Sequence, residues 1–250
     1  MLKINKYVII FLILIVIIYF IYKFTLKYYY FNFFKTNGYL FMKDYFSDKE
    51  CNDIFLVINK ELGSIDSEYT WNENNRKNLR VPLHNEIIDI IKKVYNDINL
   101  KKIWQKYTPH TVLSELSVFL SYPKAINQPW HRDINLESGY GNMITIGVAL
   151  DDITENMGPL ELYPKTTQVN DSKINDLFLK NKYQKKKMIC QKGDLIIWDS
   201  KIIHRGGKNI SSSIRPLFYF SFLEGNKPKP RDATYSLKSI YKGKIFVSKL

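Results

Sequence analysis

The chain has 250 residues, 37 of them basic and 24 acidic, for a net charge of +13, and 45% are hydrophobic. That is apolar material for one core of ordinary size, which excludes a disordered chain. The positive charge is scattered rather than blocked, no nucleic-acid-binding motif is present, and the two cysteines, Cys51 and Cys190, make neither a Cys-x-x-Cys pair nor a disulfide framework, so nucleic acid, zinc and dithiol redox chemistry are not expected.

Residues 7–22 contain no charge, and with Lys23 snorkelling the apolar span extends over residues 7–26. That length suits a helix crossing a hydrocarbon core of roughly 30 Å. No small-residue cleavage site follows; the run leads into Lys27-Tyr-Tyr-Tyr-Phe-Asn-Phe-Phe34, an aromatic stretch suited to the headgroup zone. Residues 1–35 therefore read as a single-pass membrane anchor with a juxtamembrane aromatic segment. Lysines stand on both sides, so charge does not set its orientation. Asn170 and Asn209 each head a glycosylation sequon.

Thr36-Asn-Gly38 predicts a turn, after which a soluble domain starts at residue 36. Tyr39 to Phe46 reads as a short strand. Ser47-Asp-Lys-Glu50 is a capping box, followed by Ile54, Phe55, Val57, Ile58 and Leu62 at helical spacing, with Gly63 as the stop. Residues 64–82 are polar and read as a loop. A second helix over 85–98 places Ile87, Ile88, Ile91, Val94, Tyr95 and Ile98 on one face. Both helices are expected to cover one side of a sheet.

From residue 112 short apolar runs alternate with turn clusters, predicting strands at 113–121, 129–133, 143–150, 159–163, 187–191, 194–199, 201–204 and 215–223. The fold class is mainly β with flanking helices: a jelly roll, or double-stranded β-helix of the cupin-like kind, preceded by the transmembrane helix. The domain runs over 36–225, and 226–250 is a basic tail.

The chemistry concentrates in Gln128-Pro-Trp-His-Arg-Asp133, with His204 and Arg215 far downstream. On a strand, residues i and i+2 point to the same face, so His131 and Asp133 can grip one ion. His204 completes a 2-His-1-carboxylate set, the arrangement that holds non-haem Fe(II) and leaves positions open. His84 and His110 have no partner at ligand spacing and read as ordinary residues.

These residues resemble the phytanoyl-CoA dioxygenase-like family of Fe(II)/2-oxoglutarate-dependent oxygenases. The likeness covers most of 39–223. It runs from Gly38-Tyr-Leu-Phe-Met-Lys-Asp-Tyr-Phe-Ser47 through Trp130-His-Arg-Asp133, Val148-Ala-Leu-Asp-Asp152 and Asn156-Met-Gly-Pro-Leu160. It ends on Gly193-Asp-Leu195, His204-Arg-Gly-Gly-Lys-Asn209 and Arg215-Pro216. The resemblance implies that His131, Asp133 and His204 are the iron ligands and that Arg215 binds the distal carboxylate of 2-oxoglutarate. A guanidinium suits that task, because its planar fork matches a carboxylate. It further implies decarboxylation of 2-oxoglutarate to succinate with hydroxylation of a substrate, with ascorbate as an accessory reductant. A carboxylate at position 133 argues against the halogenating relatives, which carry a small residue there. Pro164-Lys-Thr-Thr167 departs from the family's usual turn without touching the ligand set.

Over 143–150, Thr145, Gly147 and Ala149 share one face and Ile144, Ile146, Val148 and Leu150 the other, so Thr145 and Gly147 are candidates for the co-substrate pocket and the aliphatic face for the helices. The substrate is a small or lipid-like molecule (a lipid or acyl group, a glycan or a protein being compatible), with the membrane as a second partner through residues 7–26. The competing organisation is a non-enzymatic jelly-roll binding module tethered to a membrane.

Overall fold

Lys6–Asn37 form one uninterrupted helix, α1, and its two ends meet different surroundings. Every residue from Tyr7 to Tyr22 is 44% or more exposed. Among the described residues, this is the one helix long and apolar enough to cross a membrane. The other end is built into the protein. Phe34 is buried, edge-to-face with Tyr107 at 5.2 Å, and Tyr30, Phe31 and Phe33 pack against the same core. Gly38, at a φ of 78°, ends the helix in the left-handed conformation that glycine adopts without penalty. The expected turn over 36–38 is thus the last helical turn and its stop, and part of the aromatic stretch expected at headgroups serves as core. The computed structural model describes residues 6–136, 139–170, 174, 176–230, 236–241 and 243–250. Parts of the stretches 134–142 and 168–186, between expected strands, and of the expected tail lie outside them.

Strand β1 (Tyr39–Met42) follows directly, then helix α2 (Asp48–Leu62) with the capping box formed in full. The segment read as a loop contains a hairpin, β2 (Tyr69–Glu73) and β3 (Arg76–Arg80). Its turn is Asn74-Asn75, both at positive φ (53° and 56°), as a two-residue hairpin turn requires. Helix α3 (Asn85–Asn96) buries Ile87, Ile90, Ile91 and Val94, whereas Ile98 lies beyond it and is exposed. A further short helix, α4 (Lys101–Tyr107), was not expected.

Strands β4 (Val112–Ser121), β5 (Met143–Ala149), β6 (Leu160–Leu162), β8 (Leu195–Asp199) and β10 (Arg215–Leu223) stand where expected. Three other strands differ. Residues 129–133 join a ladder only at His131, through a single bridge to His204. The strand at 187–191 shrinks to β7 (Lys186–Lys187), preceded by α5 (Asp176–Lys182), with Cys190 making one bridge to Ile153. In place of the strand expected at 201–204, residues 199–202 form a tight turn, closed by Ile202 N–H on the Asp199 carbonyl at 2.8 Å, that delivers β9 (His204–Gly206).

The large sheet has the order β1-β8-β5-β10-β4-β3-β2, with β11 (Ile245–Phe246) also paired to β4, and the small one β7-β6-β9. Pairing is antiparallel throughout both sheets. The helices cover one face of the large sheet over a core of Leu116, Val118, Ile144, Ile146, Val148, Phe218, Phe220 and Phe222. The other face looks toward the small sheet, as in a jelly roll. The basic tail is part of this body: β11 pairs with β4, Ser236 bridges to Glu115, and buried Lys238 meets buried Glu61 of α2 at 2.6 Å. Asn209 is fully buried, and its Nδ2 donates to the carbonyls of Ser121 and Ser213, so that sequon is closed to glycosylation.

Candidate metal and co-substrate site

The site begins as a backbone clamp. Residues 128–133 run along the free edge of β9 as a ragged extra strand. The N–H of Gln128 donates to Gly206 at 3.0 Å, His131 and His204 exchange N–H···O bonds at 3.0 and 2.9 Å, and Asp133 N–H donates to Ser200 at 2.9 Å. This register, more than strand alternation, brings His131 and His204 side by side, with ring centroids 4.5 Å apart. Asp133 lies past the bridge, where the chain bends, yet its carboxylate returns to the histidines: Oδ1 is 3.4 Å from His204 Nε2 and 3.9 Å from His131 Nε2. The ligand atoms of the three residues all lie within 4.8 Å of one another.

Both imidazoles are oriented in the same way. Nδ1 of His131 meets the Pro129 carbonyl at 2.9 Å and Nδ1 of His204 meets the Ile202 carbonyl at 3.0 Å. A carbonyl only accepts, so Nδ1 carries the proton and Nε2 turns its lone pair to the centre. Such outer bonds are what aim histidine ligands at a metal. Burial pushes the His131 imidazole below its ordinary value, and the neighbouring His204 adds to this. Burial also opposes charge on His204 and on Asp133, but their mutual attraction prevails, raising His204 and lowering Asp133. The donor set of two neutral nitrogens and one carboxylate oxygen on one side of a pocket fits a divalent iron with positions left open.

The pocket between the sheets is lined by the triad together with Gln128, Thr145, Trp198, Arg215, Leu217 and Tyr219, among others. Arg215, at the start of β10, is 2% exposed. One terminal nitrogen donates to the Gly158 carbonyl, while its buried Nε has no partner. Burial, with Arg76 acting in the same direction, holds its pKa down to about 10, and among the described residues it forms no ion pair. A buried guanidinium in this condition fits a ligand carboxylate.

Thr145 also lines the pocket, its hydroxyl 3.1 Å from that of Ser200 and accepting from Ser221 at 3.0 Å. Gly147 lies beneath the pocket wall rather than on it. A Cβ there would stand 3.1 Å from Trp198 and 3.4 Å from Leu217, so the glycine makes room for two side chains that do line the pocket. The alternation read over 143–150 holds: Ile144, Ile146, Val148 and Leu150 join the helix-covered core. His84 and His110 lie outside the site and are exposed.

Sequence reasoning missed Gln128, Trp198 and Tyr219 as pocket residues. For Trp198 and Tyr219 the signal was available, since strand alternation from Arg215 and from Ile196 reaches both. Gln128 is recognisable only in three dimensions: its Oε1 accepts from Gly206 N–H at 2.7 Å, which holds it at the pocket wall.

Comparison with known proteins gives the family and agrees with the fold. Residues 34–217 match the phytanoyl-CoA dioxygenase (PhyH) family. No curated protein sequence matches the chain. Among solved structures, the chain is similar to the non-haem α-ketoglutarate-dependent carbocyclase SnoK from nogalamycin biosynthesis, with a TM-score of 0.62 and 14% identity, covering 80% of this chain and 85% of that one. It is similar to the epimerase SnoN in complex with Fe3+, α-ketoglutarate and nogalamycin RO, with a TM-score of 0.63, 12% identity, and coverage of 85% and 90%. It is also similar to AviO1 from Streptomyces viridochromogenes Tue57, with a TM-score of 0.57, 15% identity, and coverage of 80% and 96%. The chain belongs to the phytanoyl-CoA dioxygenase family of Fe(II)/2-oxoglutarate-dependent oxygenases.

Proposed function

We propose that this oxygenase is a membrane-anchored hydroxylase of a lipid-like substrate, in which His131, Asp133 and His204 hold the iron and Arg215 holds the distal carboxylate of 2-oxoglutarate. The observation that carries the reading is the convergence of those three ligand atoms beside a buried, uncompensated arginine in one pocket. When bound, iron and 2-oxoglutarate supply O2 activation coupled to decarboxylation of the keto acid to succinate and CO2. The chain's own part is placement. The Pro129 and Ile202 carbonyls fix the tautomers of the two histidines, so that neither needs to reorient on loading. Arg215 reads the far end of a dicarboxylate and rejects a monocarboxylic keto acid, which would leave a buried guanidinium unpaired. Trp198, Leu217 and Leu160 keep water from the space between.

The exposed apolar surface of α1 supports residues 7–26 as a membrane span. Helix α1 continues without a break from there into the core, so a span over residues 7–26 would hold the domain close to the bilayer. That arrangement favours a substrate presented at the membrane surface. Phe31, Phe33 and Phe34 belong to the core or pack on it, so the C-terminal end of α1 is part of the folded domain.

The test uses the full chain in neutral detergent with Fe(II), ascorbate and 2-oxoglutarate. Succinate formation, even without substrate, is expected in the wild type and lost in Asp133→Ala. Equal succinate from both proteins would refute the ligand assignment. For the anchor, Ile13→Lys with Ile17→Lys is expected to release the protein from the membrane fraction; retention there would refute the span.

A further inference from the structure

Arg76 stands next to the site, and the reading above gives it no task. It opens β3, where the register sets it beside Ser121 of β4; Ser121 pairs on its other side with Arg215. The two guanidiniums are tied to adjoining loops. Arg215 donates to the Gly158 carbonyl, and Arg76 donates to the carbonyls of Gly207, at 2.7 Å, and Ile126. Gly207 in turn donates to Pro159 at 3.0 Å. Arg76 is 1% exposed, its Nε is buried without a partner, and among the described residues it forms no ion pair. Burial holds its pKa down to about 10. Bridging two carbonyls needs only a neutral amide; a buried guanidinium adds a charge that is costly without a counter-charge.

The iron and co-substrate of the proposed site do not supply that counter-charge. With neutral histidines, the two charges of Fe(II) would be met by Asp133 and one carboxylate of 2-oxoglutarate, and Arg215 by the other. Glu115, the further acid lining that pocket, accepts from Ser221 of β10 rather than from Arg76. Arg76 is left over. It also lines a space of its own, a cleft of about 300 Å³ shared with Asn74, Asn127, Gln128 and His131. His131 and Gln128 line the main pocket as well, so the cleft adjoins the metal centre. Its remaining polar groups are amides, which donate to an anion without competing for it.

We infer that the substrate carries an anionic group, a carboxylate or a phosphate, and that Arg76 receives it in this cleft. The inference rests on the proposed iron and 2-oxoglutarate site and adds the substrate's charge to it.

The experiment loads the full-length protein in neutral detergent with Fe(II) and 2-oxoglutarate, without oxygen, and titrates octanoate, octyl phosphate and, as neutral control, octanol. At least one anion is expected to bind ten-fold or more tightly than octanol. Arg76→Met is expected to weaken that anion at least ten-fold more than it weakens 2-oxoglutarate. Because this variant also loses two carbonyl bonds, Asn127→Asp serves as the second. It keeps the acceptor used by Lys208 N–H at 2.8 Å while placing a fixed negative charge in the cleft that Arg76 lines, and it too is expected to weaken the anion ten-fold. Anions binding no better than octanol to a wild type that does take up 2-oxoglutarate would overturn the inference alone. So would Arg76→Met weakening 2-oxoglutarate and sparing the anion, or Asn127→Asp leaving anion affinity unchanged. A wild type that takes up neither iron nor 2-oxoglutarate would overturn both readings.

Discussion

The two faces of the large sheet are made by the same strands and do opposite work. On β10, Phe218, Phe220 and Phe222 point into the helix-covered core, while Arg215, Leu217 and Tyr219 line the pocket. On β5, Ile144, Ile146 and Val148 face the helices, while Thr145 faces the pocket and Gly147 leaves room for Trp198. The helix face is almost wholly aliphatic and aromatic, so its contribution is burial, at about 25 cal/mol per Å² of apolar surface. The pocket face keeps buried arginines, a hydroxyl network and a buried glutamate, each costly unless a ligand or neighbour answers it. Stability and chemistry are thereby separated at a distance of one residue. Substitutions on one face are expected to leave the other's property nearly intact.

The largest break should come on the helix face. Phe220→Ala removes a fully buried ring packed at a tilt between Phe218 and Phe222 and is expected to cost about 3–5 kcal/mol. Denaturant unfolding reads that loss, and at a permissive temperature iron binding should persist; its disappearance would show the faces to be coupled. On the pocket face, Asp133→Ala should lower iron affinity on the order of a hundred-fold or more, beyond the effect of losing an outer-shell partner, while the melting temperature of the metal-free protein stays close to wild type. Arg215→Met should raise the 2-oxoglutarate requirement about 30-fold, the lower end of the effect of removing one partner of a buried charge pair, with Arg215→Lys between the two.

Asp199 sharpens the comparison because it is an acid on the helix face, following Leu195 and Ile197 in the alternation of β8. Burial pushes its carboxyl up to about 6 from an ordinary 3.8, the Lys201 N–H bond opposing. The folded state therefore binds the proton more tightly than the unfolded chain. Stability from this group is full below about 4, falls as pH rises to about 6, and does not return above that. Asp199→Asn, which retains an acceptor for Lys201, should stabilise the protein at pH 7 by about 1–3 kcal/mol and flatten that part of the pH profile. The smallest effect expected is that of Gly147→Ala. Its methyl group meets Trp198 at 3.1 Å, so a cost of about 1 kcal/mol is expected, with a measurable change in 2-oxoglutarate affinity as the indole shifts.

Amino-acid order alone determined the parts of this protein that repeat at a local period. Strand alternation over 143–150 and 215–223, the capping box at Ser47 and the uncharged run of residues 7–22 were each legible, because side-chain periodicity and capping act within a few residues. The candidate triad of His131, Asp133 and His204 was legible as residue types at a recognisable spacing. What tertiary structure decided is how those residues meet. The 129–133 segment is a clamp on β9 rather than a strand of its own, since its hydrogen bonds go to residues 200–206 across the chain. The β2–β3 hairpin was hidden because Arg76 and Asn78 are polar yet buried, and polar residues face inward only where a partner or pocket awaits them. The tail looked detached for the same reason: the Lys238–Glu61 pair that holds it joins two segments far apart in the chain. No local pattern encodes such contacts, because their free energy arises only once distant strands have paired.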